Sequence, residues 1–362
     1  MLLVEHSVVV GWCFGLTGDR RQQIKTEGPV LSPGVAEKLP SIDLQGLALR
    51  STSSCLAALE PQSHLSRIVS ELVIAGGKRV RPLVTYLVGA CEGLDPEALD
   101  NPAVISELVH TASLLHDDFI DEAVTRRNRP TAWVTVGPRD AVLAGDLALT
   151  VAMRLTESGP AAARLRLLDV IEAMTEAQSA ERLTQASALA DVDGWLSIAE
   201  GKTAALLGWC AEAAALHAGN RAVCTEVRAM GEGFGLAFQA VDDLLDLVPG
   251  GGAGKPACTD LRAKVASLPI RLAARNSPAL CARIEAVWNG EKDDLTHLSA
   301  QIFQQSEVEL VAFVDEQFGR VRFGLEALRP HPARDALAQQ LEYVRHRMRV
   351  LRETGQAWSA QL

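Results

Sequence analysis

Six aspartates, arranged as two copies of Asp-Asp-x-x-Asp, are the residues of this chain best suited to chemistry. Asp117, Asp118 and Asp121 close the stretch Leu114–Asp121, and Asp242, Asp243 and Asp246 close Phe238–Asp246. On a helix, positions i, i+1 and i+4 lie on one side of the cylinder, with i and i+4 about one turn apart. Like charges at that spacing repel, and burying them unpaired is costly. A cation relieves both problems. Hard divalent ions take oxygen ligands, and Mg²⁺ is usually held by one or two carboxylates together with substrate phosphates. One such cluster alone would equally describe an acidic, solvated helix face. Two copies in apolar, helix-like stretches followed by basic residues favour metal-assisted chemistry on a phosphorylated substrate.

The basic residues fall near these clusters. Gly76-Gly77-Lys78-Arg79-Val80-Arg81-Pro82 places two glycines before three cations, so backbone can approach an anion while side chains clamp it; a solvated basic run is the alternative. Arg126 and Arg127 follow the first cluster by a few residues, and Arg matches phosphate oxygens bidentately; a surface ion-pair patch would look the same. Lys202 lies in an Ala- and Leu-rich helical stretch. Buried there it needs an anionic partner; otherwise its stem packs and its head reaches water. Thr203 either back-bonds to the helix or meets a ligand. Asp146, in Leu143–Leu147, reads as a structural cap or pair rather than a metal ligand. Residues 249–256 imitate a phosphate-binding Gly-rich loop but begin with Pro249, follow Lys255 with Pro256, and come after a helix rather than a strand. They read as a flap carrying Lys255, or as an inert loop, with Asp260 and Lys264 just beyond.

These residues need helices to position them. The chain has 362 residues, 48% hydrophobic and rich in Ala and Leu, with only two Tyr, which favours helix over sheet. No strand pattern or short repeat is evident, and the expected class is all-α. Residues 1–40, punctuated by Gly28, Pro29, Pro33 and Gly34, read as a loosely ordered extension, and 41–362 as one helical domain. Helices are expected from about Leu44, over 66–74, 83–91 and 103–121, the last opened by Asn101-Pro102 as N-cap and first helical residue. Apolar residues on most of its sides make 103–121 central. Further helices are expected over 139–157, 161–187, from Trp195, over 206–218 and 223–247, and near 261–275, 278–288, 292–302, 306–328 and 333–352, with Pro330 and Pro332 breaking the last pair. The two Asp-rich helices are expected to face each other across a central cavity.

The net charge of −10, from 35 basic and 45 acidic residues, argues against nucleic acid as a partner, while leaving room for a local basic lining. Seven dispersed cysteines without Cys-x-x-Cys spacing suggest neither a disulfide scaffold nor a zinc site, so a reducing, cytoplasmic setting is expected. No apolar run reaches the roughly 20 residues that span a bilayer, and Met1–Gly15 makes a poor signal peptide.

Taken in order, Gly76-Gly77-Lys78-Arg79-x-Arg81-Pro82, His116-Asp117-Asp118-x-x-Asp121, Arg126-Arg127, Gly201-Lys202-Thr203, Gly235-x-Ala237-Phe238-Gln239-x-x-Asp242-Asp243-x-x-Asp246, Lys255, Asp260-Leu261 and Lys264 resemble the motifs of the trans-isoprenyl diphosphate synthases, or polyprenyl synthetases, from about Leu72 to Ala274. The resemblance implies the all-helical isoprenoid synthase fold, usually a homodimer, with three Mg²⁺ ions between the acidic clusters and an allylic diphosphate. It implies a pocket for isopentenyl diphosphate at Lys78, Arg81, His110 and Arg127. Arg126, Lys202 and Lys264 would contact the allylic diphosphate, Thr203 and Gln239 would stabilise the allylic cation, and Lys255 would close the site. Asp117, Asp118, Lys202, Thr203, Gln239 and Asp242 would be catalytic. Asn128, Cys258, Thr259, Ala263 and Ala266 depart from residues common in the family and bear on loop motion rather than identity.

In such enzymes a bulky aromatic one turn before the first cluster acts as a floor that stops chain growth. Ala112 and Ser113 are small, which points to a product of C30 or longer and to a shorter product for Ala112→Phe; ordinary small-residue packing is the alternative. A geranylgeranyl or farnesyl diphosphate synthase, a terpene cyclase on the same scaffold and a partner subunit of a two-component synthase are the competing readings. The four isopentenyl diphosphate residues weigh against a cyclase, and two intact clusters weigh against an inert subunit. A long apolar product could draw the enzyme to a membrane surface, although no anchoring segment is evident.

Overall fold

Ala- and Leu-rich segments free of proline beyond their first turn should wind into helices, and they do. The computed structural model describes residues 42–60, 63–127, 129–184, 189–248 and 258–360. The helices are α1 Leu44–Ala58, α2 His64–Ile74, α3 Val80–Cys91, α4 Asp100–Ile120, α5 Ala132–Val136, α6 Pro138–Leu155, α7 Ala161–Thr184, α8 Val192–Ala199, α9 Ala205–His217, α10 Cys224–Leu247, α11 Thr259–Ala263, α12 Leu268–Asn276, α13 Pro278–Trp288, α14 Leu295–Ala327 and α15 Pro332–Ser359. The extension, the Gly-rich stretch with Lys255, and Asn128 lie outside the described residues.

α4, α9 and α10 carry the centre. In α9, Leu206–Ala211 and Ala213–Ala215 are all buried, and Glu212 alone interrupts the run. Burial on every side of the helix follows from that apolar run. α9 packs on α3, α7 and α10; α4 packs on α6, and α10 on α14. One contiguous apolar core runs from Leu44 to Leu351. α4 is buried on most of its sides, from Pro102 through Val109 and again at Thr111, Ala112 and Leu115, as its all-round apolar pattern predicts.

Four features differ from the sequence reading. α4 begins at Asp100, directly from a 3₁₀ turn over Pro96–Leu99, so Asn101 and Pro102 lie within its first turn. Asn101 instead donates its amide to Ser158 Oγ, 2.9 Å away. The helix expected over 261–275 is two, α11 and α12, because Lys264 turns left-handed (φ 59°) and Pro269 opens α12. The two helices expected over 292–302 and 306–328 are the single 33-residue α14; no Gly or Pro interrupts Phe303–Ser306. Finally, Thr125–Arg126 (β1) and Arg129–Pro130 (β2) form a small antiparallel ribbon just after the first acidic cluster.

Candidate active site

Both acidic clusters close their helices. α4 ends at Ile120 with Asp121 as C-cap, and Asp242, Asp243 and Asp246 occupy the end of α10; neither helix has a basic residue in its last turn. A helix C-terminus already carries partial negative charge, so carboxylates there are unfavourable unless a cation arrives. Burial lifts Asp117 to about 6, with Asp121 and Glu181 adding to the rise and Lys202 opposing it. Burial likewise raises Asp121 and lifts Asp243 to about 6.

A short π-helical turn, Glu200–Ala204, separates α8 from α9 and presents Lys202 and Thr203. Such turns widen a helix locally and redirect side chains, often at functional sites. Glycines let its neighbours close on it: a Cβ on Gly201 would stand 2.6 Å from Ala173 O of α7, and one on Gly235 of α10 would stand 2.6 Å from Ala204 Cα. The turn is thereby held between the two helices, with Lys202 on the side of α7 and Thr203 on the side of α10. Lys202 pairs with Glu181 of α7. Burial pulls its ammonium down, but Glu181, Asp117 and Asp121 together reverse this and leave it raised. Thr203 Oγ1 donates to Gln239 Oε1 (3.1 Å), and Gln239 Nε2 donates to Asp243 Oδ1 (2.9 Å).

The three aspartates of the second cluster differ in use. Asp243 is 7% exposed; its other oxygen, Oδ2, accepts from Trp195 Nε1 and from the Leu268 N–H, both at 2.9 Å. Asp246 accepts from the Thr259 N–H (3.1 Å) and the Asp260 N–H (2.8 Å), tying the start of α11 to the end of α10. Asp242 is exposed. In the first cluster, Asp118 is buried and receives Arg126 Nε and Nη2, each 2.8 Å from Oδ1. Asp117 and Asp121 both lie within the electrostatic reach of Lys202 and Glu181, and Asp121 Oδ1 accepts from Gln178 Nε2 at 3.5 Å.

Four arginines, Arg79, Arg81, Arg126 and Arg127, gather around His110 of α4. Arg127 adopts φ 51°, donates to Gly76 O, and lies against Gly77, where a Cβ would come within 3.3 Å of its Nη1. The double glycine therefore admits an arginine as well as bending the chain. His110, two turns before Asp117 on the same face, is held well below the ordinary imidazole value by burial and by Arg81, Arg127, Arg126 and Arg79, so it is neutral. Arg81 Nε is buried without a hydrogen-bond partner. Lys78 is exposed, and Lys264 is exposed at the C-cap of α11. Arg79, within the same basic run, is structural: buried and left-handed, it pairs with Glu107 and donates to Val73 O. Asp146 is largely exposed, 3.5 Å from His116 Nε2.

Two site residues escaped the sequence reading. Glu181 pairs with Lys202, and buried Gln178 donates to Asp121 Oδ1 at 3.5 Å. The only available signal was a polar pair, Gln178 and Glu181, at helical spacing within 161–187. Trp195, which anchors Asp243, had none.

The profile of the family described as Polyprenyl synthetase matches residues 62–305. The chain belongs to the polyprenyl synthetase family. It is 33% identical over 291 residues to the nonaprenyl diphosphate synthase of Mycobacterium tuberculosis, a match covering 77% of this chain and 85% of that one. It is 37% identical over 218 residues to the (2E,6E)-farnesyl diphosphate synthase of the same organism, and there it spans only 60% of the relative's length and 59% of its own. Among solved structures, the decaprenyl diphosphate synthase of Rhodobacter capsulatus superposes with a TM-score of 0.75 at 28% identity, covering 84% of this chain and 98% of that one. This polyprenyl synthetase thus has the all-α isoprenoid synthase fold, its helices packed around a central cavity.

Proposed function

We propose that this polyprenyl synthetase condenses isopentenyl diphosphate with an allylic diphosphate to give a longer trans-polyprenyl diphosphate. The observation that carries the proposal is the π turn, where Lys202, paired with Glu181, feels the charges of Asp117 and Asp121, and the adjacent Thr203 is linked through Gln239 to Asp243.

The donor set suits Mg²⁺. Among the described residues no three His, Cys, Asp or Glu converge as a ready-made ligand group, but Mg²⁺ is ordinarily held by one or two carboxylates with substrate phosphates. Asp117 and Asp121 from α4 and Asp242 from α10 would hold it. Bound there, Mg²⁺ would neutralise charge on the departing diphosphate. Lys202, Arg126 and Lys264 would take up the rest of that charge, where stabilisation most lowers the barrier. The Gln239 amide is oriented by Asp243 so that its carbonyl faces the Thr203 hydroxyl, and these two oxygens would steady the allylic cation. Lys78, Arg81, His110 and Arg127 would hold isopentenyl diphosphate while its double bond attacks, and the released pyrophosphate would take the lost proton. Lys255 would close the site. A homodimer, a cytoplasmic setting and contact of a long product with a membrane surface remain part of this reading. Among the described residues no helix is long and apolar enough to cross a membrane.

Product length is proposed as C30 or longer, supported by small residues at 112 and 113. The two are not equivalent. Ala112 is fully buried, whereas Ser113 is half-buried, its hydroxyl on His110 O at 2.9 Å. Ser113, one turn before Asp117, is where added bulk would enter accessible space. Ser113→Phe is expected to shorten the product, while Ala112→Phe overpacks the core and should lower stability by about 1–3 kcal/mol.

The test is incubation of purified protein with Mg²⁺, isopentenyl diphosphate and, separately, C5, C10, C15 and C20 allylic diphosphates, with product masses read out. Isopentenyl-dependent elongation abolished by chelation is expected. Hydrocarbon formed without isopentenyl diphosphate, or turnover only after a second chain is added, would overturn the reading.

A further inference from the structure

The C-terminal helix reaches the basic cluster although it lies beyond residues 62–305, the part matched to the family. α15 packs on α3, α10 and α14, fixed by buried Leu341, Val344 and Met348. Tyr343, on an adjacent face of this helix, is half-buried. Lys78 Nζ lies 4.9 Å from its ring centroid. Arg347, one turn further along α15, has its guanidinium carbon 6.0 Å from the centroid of the same ring.

The contact answers a positional problem. Lys78 is exposed and follows two glycines at positive φ, and a lysine side chain has much rotamer freedom to lose when it binds. A rigid aromatic face within about 6 Å attracts an ammonium and narrows its range. It also leaves those of the ammonium's three donors that do not face the ring available to an anion. We propose that Tyr343 is a positioning residue that holds the Lys78 ammonium for the diphosphate of the isopentenyl substrate, so that α15 helps to set acceptor affinity. This rests on the assignment of Lys78 to the acceptor pocket made above.

Steady-state kinetics on Tyr343→Phe, Tyr343→Leu, Lys78→Ala and the double variant Lys78→Ala/Tyr343→Leu test it, with KM for each substrate, kcat and thermal midpoint measured. Tyr343→Phe keeps the ring and should stay near the parent. Tyr343→Leu should raise KM for isopentenyl diphosphate about two- to fivefold, leaving kcat and the allylic KM in place. The double variant should match Lys78→Ala alone, because the ring acts through the ammonium. Should Tyr343→Leu not fold, Tyr343→Met takes its place in the cycle. If Lys78→Ala raises the acceptor KM while Tyr343→Leu does not, or if the two effects add fully, the positioning role is overturned. If Lys78→Ala leaves the acceptor KM unchanged, the acceptor-pocket assignment itself fails and takes this role with it.

Discussion

The two Asp-Asp-x-x-Asp clusters share a pattern and a place at the end of a helix, yet the protein uses them differently. In the second, Asp243 accepts hydrogen bonds from Trp195, Leu268 and Gln239, and Asp246 ties down the start of α11. Two of its three carboxylates thus work inside the protein, and Asp242 is the exposed member. In the first, Asp118 is paired with Arg126, while Asp117 and Asp121 lie within the electrostatic reach of Lys202 and Glu181. The identical motifs are therefore held differently: hydrogen bonds from side chains and backbone brace Asp243 and Asp246 against neighbouring elements, whereas an arginine holds Asp118.

This division can be broken by substitution. The largest contrast should come from Asp117→Ala against Asp243→Ala. Asp117→Ala is expected to lower kcat by about a hundredfold to a thousandfold without lowering the thermal midpoint. Asp243→Ala strands three donors and should lose about 2–3 kcal/mol of stability in a denaturant titration. An Asp243→Ala protein as stable as the parent would refute the bracing role. A smaller effect is expected at Asp246, where Ala removes the acceptor for two N–H groups at the start of α11. A loss of about 1 kcal/mol, with faster hydrogen exchange confined to residues 258–264, would separate this local role from that of Asp243.

The remaining contrast concerns pH. Asp117 and Asp243 both stand at about 6, against 3.8 ordinarily. Between those values the native state binds protons that the unfolded chain has released. Stability therefore declines as pH rises through this window, and the penalty is complete above it. Asp117→Asn removes one of the two groups, so its thermal midpoint should exceed the parent's at about pH 7.5 and converge with it near about pH 4. A constant offset at all pH values would show that Asp117 does not carry this charge penalty.

Much of this molecule could be read from residue types and spacing alone. Helical periodicity and composition determined the all-α class, and the order of Asp, Arg, Lys and Gln motifs determined the family, because these signals are local along the chain. Where a helix is interrupted was less legible. Lys264 breaks its segment by adopting a left-handed backbone, while Phe303–Ser306 continues one helix, and both outcomes depend on packing partners distant in sequence. The same holds within the site. Nothing local distinguishes Arg79, sequestered by Glu107, from Arg81, or Asp243 from Asp242. Burial and hydrogen-bond partners assign those roles, and they come from helices far apart in the chain: Trp195 and Leu268 for Asp243, Glu181 for Lys202, and Tyr343 for Lys78. Residue order was enough to say which chemical groups are available. Which of them are occupied in holding the protein together emerges with the folded packing, because it depends on which donors and acceptors folding brings within about 3 Å of one another.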